Sequence, residues 1–151
     1  MKYFVRTLIT VLITSLVLLS CGSSKNQIDL SEEEKAVFEN GDKDTVKIAD
    51  AESKYEILII EPGFYNWLNS IARPEGYYSQ HFLENRNELL VLEWNRRAML
   101  PTQYDPQLYM WQINYDPWVD YGYDVNYKLY NYFVYIQRKY NQRLSLFVPR
   151  I

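Results

Sequence analysis

Residues 124–140 read DVNYKLYNYFVYIQRKY and have the periodicity of an amphipathic helix. Large apolar or aromatic side chains recur at intervals of three and four residues: Val125, Leu129, Tyr132, Ile136 and Tyr140. Asp124 or Asn126 supplies a side chain of the type that caps a helix start. We therefore expect a long helix that ends near Tyr140 and packs one face on a core.

Two further helices are predicted upstream of this segment. Residues 80–100 carry apolar side chains along one face, with Ser79 as a cap and Pro101 as a stop. Residues 64–72 have the same spacing over a shorter length and end before Arg73 and Pro74. Both segments are expected to pack on the same core as residues 124–140.

Four segments have the composition of β-strands. Residues 55–61 form a β-branched apolar run that stops at Pro62 and Gly63, which is typical of a buried strand. The other three segments are shorter: 45–48 as an edge strand, 110–115 and 145–148. The pattern predicts an α+β fold, a small sheet of short strands packed by two long helices and one short helix in a single domain.

The first residues of the chain have the order of a signal segment. Two basic residues, Lys2 and Arg6, precede an uncharged apolar run over residues 7–19. This run is shorter than the roughly 20 residues of a membrane-spanning helix. Ser20 and Cys21 follow it directly, and Cys21 is the only cysteine of the sequence.

The sequence LLSC at residues 18–21 resembles the lipobox of bacterial lipoproteins as a class. The resemblance implies cleavage before Cys21, attachment of diacylglycerol to its sulfur, and acylation of the new amino group, as by palmitate. One acyl chain binds a membrane marginally, whereas two or more hold a protein there stably. We therefore expect residues 1–20 to be a lipoprotein signal peptide and Cys21 to be the site of lipid attachment.

Residues 21–54 differ in composition from the rest of the chain. Residues 22–54 contain nine acidic and five basic residues, and Phe38 is their only aromatic residue. Such a segment cannot bury enough apolar surface to offset its chain entropy. We interpret residues 21–54 as the lipidated cysteine and an acidic flexible tether, and residues 55–151 as an aromatic-rich globular domain. Ser31 and Glu34 have the spacing of a capping box, so a short helix with Val37 and Phe38 as its docking face is expected within the tether.

Net charge restricts the class of partner. Two of the 16 basic residues lie in the signal segment, so the remaining chain has 14 basic and 19 acidic residues. This balance disfavours a nucleic-acid binder and a polybasic membrane contact. We expect the membrane as a partner through lipid on Cys21, together with an envelope protein or a glycan, and no nucleic acid.

Tyrosine is concentrated in the second half of the chain, where ten of the 15 tyrosines lie between Tyr104 and Tyr140. Rings at helical spacing are typical of a core, whereas rings on loops can form a binding surface. Both interpretations stay open for the loop between the two long helices. The candidate binding surface consists of seven loop residues: Tyr104, Tyr109, Trp111, Tyr115, Trp118, Tyr121 and Tyr123.

Two sets of polar residues are candidates for metal ligands by their residue types and spacing. Three carboxylates recur at intervals of four residues at Asp116, Asp120 and Asp124, but the spacing is not that of an EF-hand loop. Asp residues in these contexts are typical of turns and helix caps. The only histidine, His81, has Glu84 and Glu88 on its helical face, which is too few ligands for zinc. We expect no metal and no cofactor.

No set of residues indicates a catalytic mechanism. Glu61 and Glu93 would form an acid/base pair only if the fold brought them together, and the sequence does not show that. The neighbouring Arg96 and Arg97 favour ordinary ion pairs on a helix surface. We therefore assign no catalytic residue.

Five stretches of the globular part carry a family resemblance: IEPGF at 60–64, ARPEGYYS at 72–79, INYDP at 113–117, DYGYDVNY at 120–127 and FVPRI at 147–151. They are similar to a family of small lipoproteins of unknown function from Gram-negative bacteria, over residues 55–151. The resemblance implies export as a lipoprotein and a single domain. It supplies no activity and no catalytic residue.

The sequence favours a membrane-anchored lipoprotein of the cell envelope with a non-enzymatic binding or structural role. Two alternatives stay open: a carbohydrate- or peptidoglycan-binding module that uses the Tyr and Trp loops, and an envelope hydrolase with a carboxylate pair. The expected location is the cell membrane or the outer membrane, facing the periplasm. Exposure at the cell surface also stays open.

Overall fold

The computed structural model describes residues 28–40, 45–49, 56–147 and 151, with 45–49 and 56–60 described by their backbone alone. Four helices and two strands occur in these ranges. Their order is α1 (Glu32–Glu39), β1 (Thr45–Ala49), β2 (Glu56–Ile60), α2 (Phe64–Ser70), α3 (Gln80–Ala98) and α4 (Gly122–Lys139). The described part of the chain is therefore mainly helical.

Helix α4 lies at the centre of the fold. Every residue from Val125 to Arg138 is buried except Lys128, which is partly buried. A helix that is buried on all sides must be enclosed by other elements, and α4 contacts α2, α3 and β1. Tyrosine can occupy the additional buried faces because its hydroxyl reaches a partner, as Tyr135 does by donating to the Pro62 carbonyl at 2.5 Å. The expectation that this helix packs only one face on the core was wrong.

Serine caps start two of the helices as predicted. The Ser31 hydroxyl accepts from the backbone N–H of Glu34 at 3.2 Å, and the Ser79 hydroxyl accepts from that of Phe82 at 3.3 Å. Helix α4 starts at Gly122 instead of at the predicted caps Asp124 or Asn126. The reason is local. The Asp120 carboxylate accepts a hydrogen bond from the Gly122 N–H at 2.9 Å, so a free N–H group at the helix start has a partner before residue 124 is reached.

Helices α3 and α4 run side by side in the same direction. Asn87 donates to the Asn126 carbonyl near their starts, and Arg97 donates to the Gln142 side chain beyond their ends. We call the end where both helices begin, at Gln80 and Gly122, the amino pole. We call the end where both helices finish, at Ala98 and Lys139, the carboxyl pole. The 18 residues of α4 separate the poles by about 27 Å.

The prediction of an α+β fold is wrong. β1 and β2 form only a two-stranded antiparallel hairpin, with Thr45 opposite Ile60 and Ala49 opposite Glu56. None of the residues whose side chains are described lies in a strand, and α2, α3 and α4 supply most of the described apolar core. Residues 110–115 and 145–147 are loop and bends instead of the strands expected there, and Val148 lies outside the described residues.

Side chains of α3 take the place of the missing strand partners for residues 110–115. The amide of Asn95 bonds reciprocally to the backbone of Ile113, donating to its carbonyl at 2.8 Å and accepting from its N–H at 2.7 Å. Trp94 donates from its indole to the Trp111 carbonyl at 2.8 Å. The backbone groups of Trp111 and Ile113 thus have hydrogen-bond partners without a sheet. The aromatic composition of the loop alone does not reveal these partners.

Helix α1 packs on the core through a buried ion pair. Glu34 is fully buried and accepts from the guanidinium of Arg138 at 2.5 and 2.6 Å and from the indole of Trp67 at 3.0 Å. The Phe38 ring meets the Tyr135 ring edge-on at 5.3 Å. Residues 28–40, assigned by composition to the tether, therefore lie on the domain. The rest of that division stays a prediction, because residues 1–27, 41–44 and 50–55, with the signal segment and Cys21, lie outside the described residues.

Candidate functional site

A fixed turn at the amino pole holds Trp118. Asp116 organises it, because its carboxylate accepts from the Trp118 N–H at 2.9 Å and its carbonyl accepts from the Val119 N–H at 3.1 Å. The Asp116 N–H in turn donates to the Tyr121 hydroxyl at 2.9 Å. The Tyr121 ring stacks on Tyr115, with ring centres 4.9 Å apart. We call residues 116–121 the Trp118 turn.

The side chain at the tip of this turn faces solvent. Trp118 is 94% exposed, although its backbone is fixed by the hydrogen bonds of the turn. Among the described residues, none makes a hydrogen bond or a ring contact with the Trp118 indole. Tryptophan is largely buried in most folded proteins, and an exposed ring does not contribute the stability that its burial would provide. The turn therefore presents a ring that packs against nothing in the described part of the molecule.

Three carboxylates lie in the turn or are linked to it, and we call Glu84, Asp116 and Asp120 the acidic rim. The Gln80 amide links two of them, donating to Glu84 at 2.8 Å and to Asp120 at 2.9 Å. Burial raises the pKa of the Tyr115 phenol, and the nearby charge of Glu84 raises it further. Each ion pair found among the described residues involves other carboxylates. The rim carboxylates therefore take no part in the ion pairs found among the described residues.

The structure gives the seven predicted surface residues different environments. Tyr109 and Tyr121 are buried, and Tyr104, Tyr115 and Tyr123 are partly buried. Their hydroxyls have structural partners: Tyr109 with Arg97 at 2.7 Å, Tyr104 with Arg96 at 2.6 Å, Tyr115 with Asn126 at 2.8 Å, and Tyr123 with the Gly76 N–H at 2.6 Å. Only Trp111 and Trp118 of the seven expose most of their side chain, at 77% and 94%.

The segments that carry the two exposed tryptophans are attached at different points along α3. The Trp111 carbonyl bonds to Trp94, whereas the Trp118 turn is tied to Gln80 through Asp120. Trp94 follows Gln80 by 14 positions on α3, which corresponds to roughly 20 Å along the helix axis. A continuous row of aromatic rings across the loop is therefore not present.

The carboxylates considered as an acid/base pair each have their own cation. Glu61 accepts from the Lys139 ammonium at 2.8 Å and from the Tyr140 hydroxyl at 2.8 Å. Glu93 accepts from Arg96 and Arg97 at 2.7 Å each. Hydrogen bonds from these arginines, first from Arg96, hold the pKa of Glu93 below its ordinary value. Both groups therefore act as ion-pair partners near the carboxyl pole, and a general acid at Glu93 would need a raised pKa instead.

The residues weighed as metal ligands serve structural roles in the described part of the chain. His81 is exposed and lies 3.1 Å from the Asn85 amide. Asp116 and Asp120 accept backbone N–H groups, and Asp124 pairs with Lys128. No group of three or more His, Cys, Asp or Glu residues in the described ranges is placed to hold a metal ion.

Sequence reasoning missed the contact of Glu34 with Arg138. The composition around Glu34 is that of a solvated segment, so its charge was counted with the others. A signal was present, because Val37 and Phe38 share a helical face with Glu34 at spacings of three and four residues. A carboxylate on the apolar face of a short helix indicates a buried cation elsewhere in the chain.

The chain belongs to the family of unknown function DUF6146, whose model matches residues 8–148. This confirms the predicted resemblance at the level of a family without an assigned function, over a longer range than residues 55–151. No curated protein matches the chain, and no solved structure matches it. None of the helices in the described ranges is long and apolar enough to span a membrane.

Proposed function

We propose that this protein is a lipid-anchored component of the bacterial cell envelope whose domain binds another envelope component through the Trp118 turn. The lipobox-like sequence that ends at Cys21 supports the anchor. The exposure of Trp118 on a fixed turn supports binding and is the observation that carries the proposal. A ring held in place before contact loses little entropy when a partner covers it.

The path of the chain supports an orientation for such an anchored domain. The Ile28 N–H donates to the Asn141 side chain at 3.1 Å, and Arg138 donates to the Asp29 carbonyl at 3.0 Å. The described chain thus enters the domain at the carboxyl pole. The seven residues from Cys21 to Ile28 can span at most about 25 Å. Lipid on Cys21 would hold the carboxyl pole near the membrane and direct the Trp118 turn away from it.

The chemistry of the described residues favours binding over catalysis. The two carboxylates that could have formed an acid/base pair are ion-paired separately. The hydrogen bonds that attach the two tryptophan-bearing segments to α3 lie about 20 Å apart along that helix, which disfavours a glycan groove lined by several aligned rings. A single exposed ring at one end of the domain favours a protein contact, in which one aromatic anchor often supplies much of the binding energy.

Metabolic labelling with a radioactive or clickable fatty acid tests the anchor. The wild-type chain should take up label, and Cys21→Ser should remove both the acceptor sulfur and the label. Ser23→Ala, two residues further on, is the matched control and should label like the wild type. Equal labelling of the wild type and Cys21→Ser would contradict lipid attachment at this cysteine.

Sedimentation with isolated envelope material tests the Trp118 turn. Trp118→Ala should weaken co-sedimentation of the detergent-solubilised full chain, because the ring that a partner would cover is removed. Trp111→Ala removes a second exposed indole at another position and should leave co-sedimentation unchanged. Equal co-sedimentation of wild type and Trp118→Ala would contradict binding through the turn.

A further inference from the structure

The lysine and arginine side chains described near the amino pole already have partners. Arg73 lies over the Tyr77 ring at 5.0 Å and donates to the Ile151 carbonyl at 3.0 Å. Arg86 lies 4.1 Å from the centre of the Phe147 ring and 5.2 Å from that of Phe82. Lys128 pairs with Asp124. These cations leave the acidic rim without a positive partner among the described residues.

Aromatic rings at the surface of this protein commonly carry a cation. Arginines lie over Tyr77, Phe147 and Tyr104 at 4.1 to 5.0 Å, and Lys139 lies 5.4 Å from the Tyr140 ring centre. Trp118 is the most exposed aromatic ring found in the described ranges, and no described Lys or Arg lies over it. The indole ring is also the side chain that attracts cations most strongly.

We propose that the partner of the Trp118 turn is a protein segment rich in Lys and Arg. This inference rests on the proposed function and specifies its partner. A cationic side chain of the segment stacks on the Trp118 indole, and neighbouring cations pair with Glu84, Asp116 and Asp120. Charge complementarity decides the class of partner, because an anionic surface or polymer would be repelled by the unpaired carboxylates of the rim.

The negative charges of the acidic rim can be removed without removing the hydrogen-bond acceptors that hold the turn. Asp116 and Asp120 accept backbone hydrogen bonds through a carboxylate oxygen, and an asparagine carbonyl oxygen can accept the same bonds. Glu84 accepts from Gln80, which a glutamine at position 84 can also satisfy. The triple variant Glu84→Gln/Asp116→Asn/Asp120→Asn therefore removes three charges and keeps the acceptors of the turn.

Titration of the detergent-solubilised full chain with a decalysine peptide measures the contact. The peptide should bind the wild type, and both Trp118→Ala and the triple rim variant should weaken binding by about tenfold or more. Raising the salt concentration should weaken wild-type binding more than binding by the rim variant. A matched control, Glu32→Gln/Glu33→Gln/Glu39→Gln, removes three charges from α1 and should bind like the wild type.

Two results would overturn the inference. One is equal affinity of the wild type, Trp118→Ala and the rim variant for decalysine. The other is co-sedimentation with envelope material that depends on Trp118 but is unchanged in the rim variant and in high salt. That second result would leave the proposed function standing and point to an uncharged partner such as a glycan. Loss of any dependence on Trp118 in co-sedimentation would contradict the proposed function itself.

Discussion

Replacing Glu34 with alanine should destabilise the domain strongly. The substitution removes the carboxylate that accepts two hydrogen bonds from Arg138 and one from Trp67. The guanidinium of Arg138 would remain buried beside an empty site, with one hydrogen bond left to the Asp29 carbonyl. The indole N–H of Trp67, whose side chain is fully buried, would also lose its partner.

The magnitude follows from these losses. Removing one partner of a buried ion pair costs about 3–5 kcal/mol, because the remaining charge is uncompensated. For a domain of this size, each kcal/mol lowers the melting temperature by roughly 3–4 °C. Glu34→Ala should therefore lower it by about 10–20 °C.

Thermal melts of the full chain in detergent, followed by tryptophan fluorescence, measure this change. Glu32→Ala is the matched control, because Glu32 lies on the same helix and forms an exposed ion pair with Lys35. That pair should contribute at most about 1 kcal/mol. The double variant Glu34→Met/Arg138→Met removes both charges and should melt at a higher temperature than Glu34→Ala. Equal melting of Glu34→Ala and Glu32→Ala would refute the docking of α1 on the core.

Three other predictions concern the core, the solvent-facing ring and the loop. Trp118→Ala should change the free energy of unfolding by no more than about 0.5 kcal/mol, whereas Trp67→Ala should cost about 3–5 kcal/mol in the same denaturant titration. Burial raises the pKa of Tyr127 to about 12. The neutral phenol therefore contributes to the stability of the fold at pH values below about 10, its pKa in the unfolded chain. This stability is lost as the pH rises from about 10 toward 12. Tyrosinate absorbance should accordingly rise together with unfolding above about pH 10, and full ionisation in a folded chain would contradict this. Asn95→Ala should speed amide exchange at Ile113 and cost about 1–3 kcal/mol, while unchanged exchange would disprove the reciprocal bonds.

The helices were predictable because their signals are local. Apolar spacing identified α2, α3 and α4, and the side chains of Ser31 and Ser79 marked two starts correctly. The sheet was not predictable in the same way. Aromatic and β-branched residues at 110–115 favour a strand, but Asn95 and Trp94 bond to that backbone from a helix. Such side-chain partners are distant in sequence and leave no periodic pattern.

The docking of α1 and the Trp118 turn illustrate two further limits. Composition treated Glu34 as solvated, although it is buried and paired with a cation 104 residues away. For the aromatic loop, the sequence left core and surface both open. The structure divides the residues, because Tyr109 and Tyr121 are buried and hydrogen-bonded while Trp118 follows Asp116 and Pro117 outward on a turn. Exposure of individual rings depends on this three-dimensional path.

Whether a partner covers Trp118 in the cell envelope is most directly tested by hydroxyl-radical footprinting of the same protein in intact cells and after purification in detergent. Trp118 and Trp111 are both largely exposed in the structure, so both should be oxidised readily in the purified protein. In cells, oxidation of Trp118 should fall while that of Trp111 stays the same. Equal oxidation of Trp118 in the two conditions would contradict binding through the Trp118 turn.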